Sequence, residues 1–183
     1  MRPHALTLDD VGLWDDLVQP HQAPQVLAAL KCATQLMTTH GLYAYNVSIT
    51  PARPGSRRFD LESDQYQPAL PEIHVTLLNT PGELLRWCDV LQAPIVRAYK
   101  TRTETRFEVR VRRVGYEWSL SSSMRRPEGG PYLPGIEATW NPHPGTPPLA
   151  CISRTELRTT LATLGVRRRE PGTDRMAPIQ PEA

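Results

Sequence analysis

Between Glu104 and Arg112 the chain alternates without interruption. Thr105, Phe107, Val109 and Val111 fall on one side of an extended backbone, and Glu104, Arg106, Glu108, Arg110 and Arg112 on the other. A strict period of two describes a half-buried strand and is incompatible with a helix, whose apolar positions recur every three to four residues. The strand lies inside a longer stretch, Pro94 to Ser123, that reads as three consecutive strands. With a first hairpin turning at Arg102-Thr103, Ala98 faces Phe107 and Val96 faces Val109 on the apolar side, while Arg97 faces Glu108 and Tyr99 faces Arg106 on the wet side. A slip of one residue would turn every apolar group to water, so the pattern itself sets the register. The second turn is a contest. A two-residue Val114-Gly115 loop pairs Val111 with Trp118, Val109 with Leu120 and Arg112 with Glu117, but puts a β-branched residue at positive φ. A three-residue loop closed by Gly115 has easier turn chemistry and spoils those pairs. Burial of Trp118 and Leu120 favours the first.

The rest of the chain supplies helices to cover this sheet. Residues 1–23 form an acidic arm or short helix, with Leu13, Trp14 and Leu17 on one side. Pro24 to His40 is a helix: Val26, Leu27, Leu30, Ala33, Leu36 and Met37 recur at three and four, and Gly41 stops it. Leu42 to Thr50 alternates as a strand. Residues 51–71 have little periodicity and read as a long loop, with a short strand at Phe59-Asp60-Leu61 as the alternative. Glu72 to Leu78 is a strand. Thr80-Pro81-Gly82-Glu83 then has the form of a capping box and opens a helix to Gln92. That strand, the helix and Ile95–Lys100 make a crossover unit, right-handed if its two strands run parallel. Residues 124–148 hold seven prolines and four glycines and read as an excursion, with a short strand at Ile136 to Trp140. Leu149 to Ile152 adds a strand, and Ser153 with Glu156 caps a last helix carrying Leu157, Leu161 and Leu164. The fold class is therefore α+β: a single domain over residues 24–165, built on a mostly antiparallel five-stranded sheet with helices packed on one face. Residues 166–183 are rich in Arg, Pro, Gly and Glu and are expected to be a disordered tail.

Composition narrows the function classes. The net charge of +2 is too small to imply a polyanion partner by itself. Cys32, Cys88 and Cys151 are far apart and odd in number, which suggests neither a disulfide framework nor a zinc site and fits a reducing cytoplasm. Cys151 reads as a small buried residue at a strand end. No run approaches a membrane span. No nucleotide-binding glycine pattern, nucleophile elbow or metalloprotease signature occurs. No cofactor is expected, and a small enzyme is the least supported reading.

The strand IHVTLLN, the helix TPGELLRWCDVLQ and the Arg-rich strands after them, together residues 72–123, resemble the uncharacterised small α+β proteins of actinobacteria and their phages and plasmids. The resemblance is one of style. It implies an accessory role and assigns no active site or ligand.

Residues 94–126 carry a net charge of +6, and their wet face would present Arg97, Tyr99, Arg106, Arg110 and Arg112. A basic sheet face with an aromatic is one design for a single-stranded nucleic-acid platform. Glu108 and Glu117, however, fall opposite two of the arginines, which leaves Arg106 and Arg110 beside Tyr99 unmatched. The sequence therefore favours a non-catalytic binding or regulatory module that contacts a protein partner, with nucleic acid as the alternative. Tyr132 and Trp140, in the proline-rich excursion, are further candidate contacts, because binding residues concentrate on loops held by a rigid scaffold. A homodimer through a sheet edge stays open.

Overall fold

The computed structural model describes residues 22–53, 55–60, 64–101, 103–125, 136, 149–170 and 173–180. Helix α1 (Ala23–His40) leads into β1 (Asn46–Thr50), a hairpin of β2 (Arg57–Asp60) and β3 (Gln65–Pro68), and β4 (Glu72–Leu77). Helix α2 (Pro81–Leu91) is followed by β5 (Ile95–Lys100), β6 (Glu104–Arg113), β7 (Tyr116–Arg125) and β8 (Leu149–Ser153). Helix α3 (Arg154–Thr163) and a hairpin of β9 (Arg167–Arg169) and β10 (Met176–Pro178) complete the order.

The alternating strand lies at the centre of a six-stranded sheet of order β1-β4-β7-β6-β5-β8. Both meander registers follow the side-chain pattern. Arg97 pairs with Glu108, Ala98 with Phe107 and Tyr99 with Arg106. Val109 pairs with Leu120, Val111 with Trp118 and Arg112 with Glu117. The second turn holds Val114 at φ 55° and Gly115 at φ 77°, so the long β6–β7 ladder has overridden the dislike of valine for the left-handed region. Val114 is 72% exposed and packs little. Val114→Asn is therefore expected to stabilise the fold by about 1 kcal/mol, as an upward shift in the denaturant midpoint at unchanged slope.

Two sequence expectations are corrected. The sheet has six strands, not five, and is mixed: one of its pairings is parallel and the other four are antiparallel. Its parallel pair is β4 with β7, in register Ile73–Trp118 and Val75–Leu120; β5 runs in the same direction as β4 but is separated from it by β7 and β6. Tight turns fold β5, β6 and β7 into one block, and the long, apolar-lined β7 meets β4, which leaves the shorter β5 for β8. The described residues of the C-terminal segment, 166–170 and 173–180, are not a featureless tail. Met176 pairs with Arg169 and Pro178 with Arg167, and Ile179 is buried. Its composition is polar, yet the hairpin lies against α2. A Cβ at Gly82 would collide with the carbonyl oxygen of Arg167, so only glycine permits that approach.

All three helices cover one face. Leu84, Leu85, Trp87, Cys88 and Leu91 of α2, Leu157 and Leu161 of α3, and Ala29 and Ala33 of α1 are buried with Ile73, Val75, Leu77, Phe107, Val109, Trp118 and Leu120 of the sheet. Trp87 and Trp118 meet at 5.9 Å between ring centres. Their indole N–H groups donate to the carbonyls of Tyr43 and Arg113. Helix α1 buries Ala29 and Ala33 and packs Cys32, Leu36 and Met37 against the core; Ala33, Leu36 and Met37 follow the stripe read in the sequence, while Leu27 and Leu30 are left outside. Beta-1 starts at Asn46 and not at Leu42, because the backbone of Tyr43 is engaged by α2: its N–H donates to Glu83 and its carbonyl accepts from Trp87.

Glu83 also departs from its expected role. Thr80 makes no side-chain cap. Glu83 turns inward, receives both the Tyr43 N–H and Arg86, and Arg86 in turn donates to the last carbonyls of the α1 turn at His40 and Gly41. The capping box read at Ser153 and Glu156 is present in full. Cys88 is packed under α2, where burial foremost and then the charge of Asp89 push its thiol up to about 12. Its neutral form is favoured on folding, so the contribution is complete below the ordinary thiol range and is lost as pH rises through it towards 12. Thiol labelling of the native protein near pH 8 should spare Cys88 and modify the exposed Cys151 first; fast labelling of Cys88 would contradict this packing.

Candidate binding face

The face of the sheet opposite the helices carries the functional candidates, because alternation sends every second residue there. Strand β7 presents Glu117, Ser119, Ser121 and Ser123; β6 presents Glu104, Arg106, Glu108, Arg110 and Arg112; β4 presents Glu72, His74 and Thr76; β5 presents Arg97 and Tyr99. The short serines between longer side chains make a trough along β7. At the end of the trough formed by the end of β4, the start of β6 and the end of β7 lies a cavity of about 440 Å³, lined by Thr76, Asn79, Arg106, Glu108, Ser121 and Arg125 among others.

One corner of the face is closed. The chain at Pro68 to Pro71 crosses it, accepting hydrogen bonds at Pro68 from Arg112 and at Pro71 from the Glu117 N–H. Glu72 and Glu117, neighbours in the parallel register, are buried there. Arg112 lies 3.9 Å from Glu117, and His74 lies 3.5 Å from Glu72 while sharing a hydrogen bond with Thr50. Arg112 is thereby a structural contact and is half-buried, not a free candidate.

The other arginines sort differently from their sequence partners. Arg97 is the cross-strand partner of Glu108, as read, but no ion pair joins them within 4.0 Å among the described residues. Arg106, read as unmatched, donates to Glu104 at 2.7 Å on its own strand. The hydrogen bond and charge of Arg106 first, then a hydrogen bond with Ser123 and the more distant charge of Arg125, lower the Glu104 carboxyl from its usual range. Arg110 lies beside Ser119 and makes no ion pair among the described residues. Arg97, Tyr99 and Arg110 are thus the candidates left uncommitted on the open face. Tyr132 and Trp140 lie outside the described residues. Cys151, expected to be buried, is exposed on this face opposite Arg97, because the β8 register sends Ala150 and Ile152 inward instead.

Two features escaped the sequence reading. The serines of β7 were legible as a period-two pattern, but small hydroxyls carry no chemical signature. The second is a cluster on the helix side, where Asp89 of α2 meets Arg154 and Arg158 of α3 and Arg168 of β9 at 3.7, 2.5 and 3.8 Å. No spacing announces it, since its members come from three separate elements. It ties α2, α3 and the terminal hairpin together. Among the described residues no three His, Cys, Asp or Glu side chains gather as a metal-binding group, and no helix is long and apolar enough to cross a membrane. Comparison with known proteins found no matching family model, no matching curated protein and no matching solved structure.

Proposed function

We propose that this chain is a non-catalytic binding module, an accessory or regulatory protein of the cytoplasm, that engages a protein partner through the open sheet face. The observation that carries this reading is the division of labour across the sheet. One face is consumed by the core, and the other combines a hydroxyl-lined trough and its cavity with Arg97, Tyr99 and Arg110, which are committed to nothing else on the face. Such an arrangement offers a rigid platform with dispersed polar contacts, which suits an extended or flat polypeptide surface. The uncommitted arginines favour an acidic partner. Charge complementarity of this kind acts chiefly on association rate and specificity.

Nucleic acid is the competing partner, favoured by Tyr99 between arginines. Against it stand Glu104 and Glu108 on the central strand, which would face the phosphates. Affinity capture from a lysate of the source cells tests the reading. The double variant Arg97→Glu/Arg110→Glu is expected to lose a specific protein captured by the parent chain, while the fold, read by circular dichroism, is kept. A captured species that is nuclease-sensitive and released steeply with salt would transfer the face to nucleic acid. Capture unaffected by the double variant would remove the face from the account.

A further inference from the structure

The cavity at the end of the trough has an inventory that points to a particular chemical group. Arg106 spends its Nε–H on Glu104 and keeps both terminal amino groups. Arg125, at the end of β7, is exposed and makes no hydrogen bond to a described residue. Asn79 sits at φ 48°, where asparagine is tolerated, and its Oδ1 accepts the Ser123 hydroxyl at 2.8 Å. With its Oδ1 on that hydroxyl, the Asn79 N–H₂ makes no hydrogen bond to a described residue. Ser121 adds a hydroxyl from the floor. Hydrogen-bond donors therefore dominate the lining. Of the two carboxylates, Glu104 is ion-paired with Arg106 at 2.7 Å. Glu108 alone is left as an acceptor, in position for a peptide N–H. The volume, about 440 Å³, falls within the range of small-ligand sites.

We propose that this cavity is the anchor point of the binding face and receives a carboxylate of a polypeptide, held by Arg106, Arg125, Asn79 and Ser121, with Glu108 accepting a neighbouring backbone N–H. The inference rests on the reading of the open face as a protein-binding surface and names what that surface grips. Bidentate guanidinium recognition suits a planar carboxylate. An Asp or Glu side chain and a free chain terminus present the same group to it.

The test uses the whole chain and defined probes. Amide chemical shifts are followed by NMR during titration with three capped tripeptides: Ac-Gly-Glu-Gly-NH₂, Ac-Gly-Gly-Gly-OH and the neutral Ac-Gly-Gln-Gly-NH₂. Saturable shifts confined to Asn79, Ser121, Ser123 and Arg125 are expected with one or both carboxylate probes. They should weaken at least tenfold with the neutral probe and at least tenfold in Arg125→Gln. A stronger response to the glutamyl probe assigns the site to an acidic side chain, and a stronger response to the free acid assigns it to a chain terminus. Arg110→Gln, outside the cavity, should retain the response. Equal shifts with the neutral probe, shifts spread over the molecule, or equal loss in Arg110→Gln and Arg125→Gln would overturn the proposal. Partner capture that survives Arg125→Gln but not the Arg97→Glu/Arg110→Glu change would sink the anchor while leaving the binding face intact.

Discussion

Glu83→Ala is expected to destabilise the fold by about 3–5 kcal/mol, because it leaves the buried Arg86 guanidinium without its counter-charge. Both side chains are about 5% exposed, so solvent cannot substitute for the lost carboxylate. The same substitution removes the acceptor of the Tyr43 N–H, a second buried group left without its partner. In thermal unfolding the loss corresponds to a shift of roughly 10 °C for a chain of this size. Replacing both members of the pair with apolar residues of similar volume should cost less than the two single changes added together, since the charge leaves with its partner. Strict additivity would show that the two residues act independently and that the buried pair is not the joint between α1 and α2.

Gly82→Ala is the second large effect, and its sign is the unusual part. Alanine in place of glycine inside a helix normally stabilises by about 1 kcal/mol. Here the added methyl meets the Arg167 carbonyl, a backbone atom that cannot rotate away. The hairpin of β9 and β10 must lift, at a cost of about 1–3 kcal/mol, the range for overpacking. Ile179 would lose its burial, Arg168 its approach to Asp89, and Arg169 its place over the Tyr43 ring. Hydrogen exchange should quicken at 167–169 and 176–178 while α2 keeps its protection. Unchanged protection in the hairpin would contradict the packing.

The parts of this fold that were legible in the sequence are those fixed by local period. The β6 alternation set two registers correctly, down to a turn with unfavourable chemistry at Val114, because ten paired residues outweigh one strained one. What was illegible depends on distant partners. Nothing near Glu83 says that it will desert a capping box for Arg86 and Tyr43. Nothing in an Arg-rich C-terminal segment says that Gly82, about 85 residues earlier, leaves room for it. The parallel pairing of β4 with β7 was missed for a similar reason: the crossover rule gives handedness once two strands are neighbours, but not which strands are neighbours. On the open sheet face, the sequence placed the arginines by register but not their local partners. Arg106 is engaged within its own strand and Arg112 is held in a closed corner, while Arg97, paired in register with Glu108, stays free of it.

The most direct test of the binding face is site-specific photo-cross-linking in lysate. A photoreactive label is placed either at Ser121, on the trough floor, or at Thr159, on the exposed side of α3. The account predicts a discrete protein adduct from Ser121, absent from Thr159 and abolished by Arg97→Glu/Arg110→Glu. A discrete adduct from Thr159 alone, or equal adducts from both positions, would place the partner on the helical side and contradict it.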